Sequence, residues 1–196
     1  MRFSLFGYIL ITLMFLILIK IYKDSDYSNL KCIISGVDNK RYCVRERSKL
    51  VLAANLLAKI TTKMQKLVNF LIKKYPEHDN IKRLHKKFNP NKITETLPTS
   101  EYTAYSLNKG QKISFCLDTE RENGILIDEN TLMFVALHEL SHVCSISTGH
   151  TDEFWENFKF LIEEALELGI YKPVDYSEKP QRYCGMNIID NPYYND

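Results

Sequence analysis

The pattern of apolar and polar positions divides the chain into a front and a body. Residues 3–19 carry no charge and are rich in Leu, Ile and Phe, with Arg2 before them and Lys20 and Lys23 after. About 20 apolar residues in a helix span the hydrocarbon core of a bilayer. With Lys20 reaching back toward the headgroups, residues 3–22 meet that length. A cleaved signal peptide needs a small-residue site after its apolar core, and Lys20-Ile21-Tyr22-Lys23-Asp24 offers none. The pattern predicts a transmembrane anchor over residues 1–23. A polar juxtamembrane segment over residues 24–44 follows, with a short strand near Cys32-Ile33-Ile34, and then one domain over residues 45–196.

Within the body, Leu50, Ala53, Ala54, Leu57, Ile60, Met64, Leu67, Val68 and Leu71 recur at three and four residues. That spacing predicts an amphipathic helix over residues 46–74, ended by Pro76. Residues 102–107 and 112–117 alternate around Asn108-Lys109-Gly110, which predicts a hairpin. Residues 125–127 read as a further short strand. The apolar run from Thr131 to Leu137 predicts a buried helix, with Asp128 or Asn130 as its cap. Thr151-Asp152 open another helix over residues 153–168, which Gly169 terminates. After Gly169, tyrosines and prolines mark a tail with little regular pattern, expected to wrap over the domain. The fold class expected is α+β, with long helices and a small antiparallel sheet.

Composition changes the picture little. The formal charge is +2 and about 150 residues follow the anchor, enough for one core. Five cysteines at irregular spacings do not read as a disulfide framework. Cys32 and Cys43 would pair in a lumenal domain, and Cys144 reads as core. Lys and Arg are denser after the anchor than before it, which predicts a single-pass membrane protein with its domain facing the cytoplasm. No Asn-x-Ser/Thr sequon follows the anchor, in agreement. The basic stretch over residues 73–92 lacks an aromatic stacking series, so nucleic acid is not expected as a partner.

The chemistry lies in residues 138–150. These read His138-Glu139-Leu140-Ser141-His142, then, after seven residues, His150. Positions i and i+4 lie one above the other on a helix, so His138 and His142 present two imidazoles to one zinc ion. Glu139 beside them is placed to act as general base. Two histidines and a glutamate in an apolar helix are costly without a metal to hold. A catalytic zinc takes three protein ligands. His150, on a turn after Gly149, is the candidate third, and Glu163 or Glu164 on the next helix is the rival.

His138-Glu139-Leu140-Ser141-His142 with Gly149-His150-Thr151-Asp152-Glu153-Phe154-Trp155 resembles the HExxH…H-x-x-x-F-W pattern of the WLM and SprT-like zinc metalloproteases. The match covers about residues 131–165. The resemblance implies a zincin-like domain with Zn2+ held by His138, His142 and His150, Glu139 as general base, and Phe154 and Trp155 as packing residues. The chain as a whole also resembles membrane-anchored proteins of giant DNA viruses. The gap between His142 and His150 is longer than is usual in WLM proteases, and no ubiquitin- or DNA-binding tail is evident, so the chemistry carries over better than the substrate.

The function expected is a membrane-anchored zinc-dependent metallopeptidase acting on a protein or peptide, with the bilayer engaged through residues 3–22. A free hairpin strand beside the zinc helix is expected to hold the peptide by its backbone, and a tail tyrosine to face the oxyanion. The alternative is a non-catalytic membrane or virion protein that retains a zinc-binding fold. A zinc hydrolase acting on something other than peptides ranks last, since the sequence gives no Gly-rich phosphate loop.

Overall fold

A computed structural model describes residues 4–23, 29–121 and 124–195. Helix α1 (Leu5–Lys23) comes first. It is long and apolar enough to cross a membrane, and its apolar side chains are exposed along its length.

The rest is α+β. Strands β1 (Leu30–Ile34) and β2 (Arg41–Arg45) form an antiparallel hairpin. Its inward face carries Tyr42 and Val44 into the core against α2 (Leu50–Lys74). Residues 30–44 of the stretch expected as a juxtamembrane segment therefore belong to the packed structure, the expected short strand at Cys32-Ile33-Ile34 being part of β1, and residues 24–28 of that stretch lie outside the described residues. The polarity of residues 24–40 concealed this, because only one face of the hairpin is apolar. A short helix, α3 (Asp79–Lys87), follows α2 and buries Ile81 and Leu84. It occupies the stretch that the sequence shows only as basic. Lys74 pairs there with Glu164 and Glu167, and Lys82 with Glu77.

The central sheet joins β3 (Ile93–Glu95), β4 (Ala104–Leu107) and β5 (Lys112–Phe115) in the order β3-β5-β4. The β4–β5 hairpin is antiparallel, as its alternation predicts. β3 pairs in parallel with β5, so the sheet is mixed rather than antiparallel. A three-residue strand is too short for periodicity to reveal. Residues 125–127 make only an isolated bridge, Asp118 to Leu126, and no strand. Gly110, at φ +104°, lets the β4–β5 turn press against Val143, where a Cβ would lie 3.0 Å from that side chain.

Buried ion pairs tie the first hairpin to the sheet. Glu95 accepts from the backbone N–H of Arg45 (2.7 Å) and from the Arg47 guanidinium, which also donates to Asp118 (2.6 Å). Burial pushes the Glu95 carboxyl above its usual range, and the two arginines oppose that shift.

Helix α4 (Glu129–Cys144) crosses the core with residues buried on nearly every side. Asp128 caps it, its carboxylate accepting from Thr131 N–H at 2.9 Å. Helix α5 (Asp152–Glu167) packs against it. The tail adds a hairpin, β6 (Gln181–Tyr183) and β7 (Met186–Ile188), that the sequence pattern does not show. Disulfides join Cys32 to Cys43 and Cys116 to Cys184, while Cys144 is free and buried. Four of the five cysteines are thus cross-linked, contrary to the expectation from their count. The first cross-link is the pair expected of a lumenal domain, while spacing does not reveal the second, which the fold brings together across 68 residues.

Candidate metal centre and cleft

His138 and His142 lie one turn apart on α4, and the loop after it returns His150 to them. The ring centroids are 5.0, 4.9 and 5.1 Å apart in the three pairings. Nε2 of His138 and Nε2 of His150 are 3.1 Å apart. One nitrogen from each ring falls within 4.8 Å of the other two. Tetrahedral ligands about 2.0–2.1 Å from a zinc ion would have nitrogens about 3.3 Å apart, so the donor set fits such a metal. Phe154, fully buried, packs against all three rings with centroids 4.9, 4.4 and 4.7 Å away. Trp155 flanks His150 at 5.8 Å.

Burial lowers His138 to about 3 and His142 to about 4, with the neighbouring histidines adding to the shift. Both rings are therefore neutral at physiological pH, the form a metal needs. Glu139 follows His138 on the helix and is 4% exposed. Its Oε2 is buried with no hydrogen-bond partner, and desolvation raises the carboxyl to about 8. An orphaned carboxylate beside three imidazoles is an expensive arrangement, and a bound cation with its water would satisfy it.

Neither rival ligand reaches this cluster. Glu164 is turned to Lys74 and to the Tyr75 hydroxyl, at 3.0 and 2.7 Å, and the exposed Glu163 is not among the converging groups.

The loop that carries His150 is held from two directions, neither evident in the sequence. The Lys109 ammonium, on the β4–β5 turn, donates to the carbonyls of Ser145 (2.9 Å), Ile146 (3.1 Å) and Ser147. The Glu153 carboxylate, in the first turn of α5, accepts from the N–H groups of Ile146 (2.8 Å) and Ser147 (3.0 Å) and from the Ser147 hydroxyl. These bonds hold Glu153 down at about 2. Arg83 caps the end of α4 at the Cys144 carbonyl. Gly149, at φ +83°, completes the turn.

The imidazoles open into a cleft of about 850 Å3. One wall is α4 with α5, and the other is β4 with the β6–β7 hairpin. β4 is the edge of its sheet among the described residues. The Cys116 N–H bonds the Thr103 carbonyl. By the alternation of an antiparallel ladder, Ala104 and Ser106 then turn their backbone groups away from β5. Tyr183 joins the walls' supports, its buried hydroxyl donating to the same Thr103 carbonyl at 3.2 Å. The tail thus places a tyrosine at the cleft, engaged with the edge strand.

The family model of the WLM domain matches residues 53–193. The chain belongs to the WLM domain family. The family is associated with metallopeptidase-like activity, and the three histidines of this WLM protein lie close enough to bind a metal. Among curated proteins, Uncharacterized protein R325 of Acanthamoeba polyphaga mimivirus is 34% identical over 167 residues, 83% of this chain and 84% of the relative. Uncharacterized protein 042R of Invertebrate iridescent virus 3 is 38% identical over 101 residues, 50% of this chain and 57% of the relative. Uncharacterized protein 136R of Invertebrate iridescent virus 6 is 37% identical over 68 residues, 35% and 38% respectively. The relatives are thus proteins of large DNA viruses, in keeping with the resemblance. No solved structure matches.

Proposed function

We propose that this WLM protein is a membrane-anchored zinc metallopeptidase. The observation that carries the reading is the convergence of His138, His142 and His150 beside the unpartnered Glu139 carboxylate, at the base of an open cleft. The three imidazoles would hold the ion. A bound zinc supplies polarisation of the scissile carbonyl and a water acidic enough to lose a proton near neutral pH. Glu139 accepts that proton at its free oxygen and delivers it to the leaving amine. The edge of β4 offers backbone groups at Ala104 and Ser106 to an extended peptide, which aligns the bond to be cut. Lys109 and Glu153 keep the His150 loop in place.

The experiment is metal analysis of the full chain in detergent, beside His138→Ala, His142→Ala, His150→Ala and Glu163→Ala. About one zinc per chain, lost in the histidine variants and kept in the glutamate variant, is expected for a three-imidazole site. No zinc in folded, unchelated protein sinks the reading. Glu139→Gln separates it from a zinc-binding scaffold without turnover. The variant should retain metal and lose cleavage of a general substrate such as casein, whereas a scaffold would cleave nothing in either form.

Helix α1 serves as the anchor in this reading. The Lys and Arg distribution favours a cytoplasmic domain, but two disulfides favour an oxidising surrounding. We take the disulfides as the stronger signal, because they are specific pairings. Alkylation of the membrane-bound protein before and after reduction tests this. Four thiols that react only after reduction are expected, and four thiols free from the start would return the domain to the cytoplasm.

A further inference from the structure

Large apolar side chains that soluble proteins normally bury stand exposed around this cleft. Tyr102 is 66% exposed, Met186 48%, Ile189 62% and Trp155 41%. All line the same cavity, whose inner part is made by Phe134, Tyr183 and Ile188. A concentration of exposed apolar surface around a concave site marks a place where something apolar binds.

The charged side chains of the lining reinforce this. Lys109 is engaged by three backbone carbonyls. Asp190 is engaged by Asn195 and by the Asn191 N–H. Glu139 alone is without such a partner, and it lines the same cavity as the three histidines. The Lys109 ammonium is thus occupied by the protein's own carbonyls, and the exposed Asp190 keeps its negative charge, so apolar side chains rather than charged partners make up most of the lining. A second orphan lies on β4, where the Ser106 hydroxyl is buried without a hydrogen-bond partner and lines the cavity. A hydrogen-bonding group of an incoming chain laid along β4 would satisfy it.

We propose that the cleft selects extended polypeptide segments bearing a large aromatic or aliphatic side chain within two residues of the bond to be cut, seated against Phe134, Tyr183, Met186 and Ile188. The inference rests on the peptidase reading for its register with the metal but not for its binding preference. Backbone bonds to β4 supply affinity for any extended chain, and the apolar basin supplies the choice among chains. Met186 is the residue best placed to adapt to different shapes, since its thioether is flexible and its sulfur already accepts a bond from the Thr103 hydroxyl at 3.7 Å.

The test uses the full chain in detergent, zinc-loaded and carrying Glu139→Gln so that bound peptide stays intact. The probes are capped Gly/Ser/Ala peptides identical except for a central Phe, Leu, Ser, Asp or Lys. Phe and Leu peptides are expected to bind at least about tenfold more tightly than the other three, as burial of one such side chain requires. Met186→Asp and Ile188→Asp change exposed or half-buried positions and should remove that ratio while zinc content is unchanged. N-methylation at alternate peptide positions should weaken binding in an alternating pattern. Equal binding of all five peptides, or a preference for Asp or Lys, overturns the inference. Cleavage by the wild-type chain is read separately. If it cuts none of the peptides while the Phe preference stands, the peptidase reading fails and the binding preference survives.

Discussion

The two walls of the cleft are built in opposite ways. The metal wall comes mainly from one stretch of chain, α4, the His150 loop and α5, with His138 4 residues from His142 and 12 from His150, and Lys109 clamps the loop from the β4–β5 turn. The substrate wall brings together β4 and the tail hairpin, with Tyr183 reaching Thr103 across 80 residues of sequence. Its tie is the disulfide between Cys116 and Cys184, separated by 68 residues. The three imidazoles of the metal wall come from neighbouring residues, and only the Lys109 clamp on their loop comes from the sheet. The substrate wall exists only when the whole body has folded. Metal chemistry and substrate choice should therefore break independently, and mutations can be sorted by which wall they reach.

The largest expected effect lies on the metal wall. Glu139→Gln should lower turnover by about 10²–10⁴-fold, the usual worth of a positioned general base, while zinc content measured by atomic absorption stays at the wild-type level. Next comes the tie of the substrate wall. Replacing Cys116 and Cys184 together by Ser should cost about 4 kcal/mol of stability in chemical denaturation, the chain-entropy value for a loop of this length. In the folded protein it should weaken peptide binding and leave metal content intact. If zinc is lost along with peptide binding, the walls are not independent.

A third outcome concerns pH and the same glutamate. Glu139 is raised to about 8 without metal, so its stabilising contribution is complete below the unfolded value near 4.5 and is lost as pH rises through about 8. At pH 7 the metal-free chain bears most of that loss. Glu139→Gln should then stabilise it by on the order of 3 kcal/mol, and the gain should vanish near pH 4. Equal stability of the two chains at pH 7 would mean that the carboxylate has a partner in solution. The smallest effect is at the joint between the walls. Lys109→Met removes the ammonium from three carbonyls of the His150 loop and should weaken zinc about tenfold in a chelator competition, with little change in the melting temperature.

How much of this was legible follows the same division. The helix expected over residues 46–74 is present as α2, which starts at Leu50, and the hairpin around Asn108-Lys109-Gly110 is present as β4–β5. The convergence of His138, His142 and His150 also follows from local spacing, because one helical turn sets the first pair and a short glycine-bearing loop returns the third. The loop clamps did not announce themselves. Lys109 reads as an ordinary turn lysine and Glu153 as a helix-start acid, and only their shared target at residues 145–147 gives them a role. The residues of β3 and of the β6–β7 hairpin are too few for an alternation to stand out. The sequence named Cys32 with Cys43 but missed Cys116 with Cys184, because pairing is a property of Cα positions in the fold and not of spacing.

By itself, then, the sequence determined the anchor-like first helix, the α+β composition of the body and the three-imidazole cluster with its glutamate. Each of these depends on interactions within a few residues or on the apolar content of a single segment. Tertiary structure alone decided the mixed sheet, the Cys116–Cys184 cross-link, which strand of the hairpin is left open at the edge and the apolar basin beside it. Those features arise where segments far apart in the chain bury their surfaces against each other, and no local pattern records which distant partner a segment will meet.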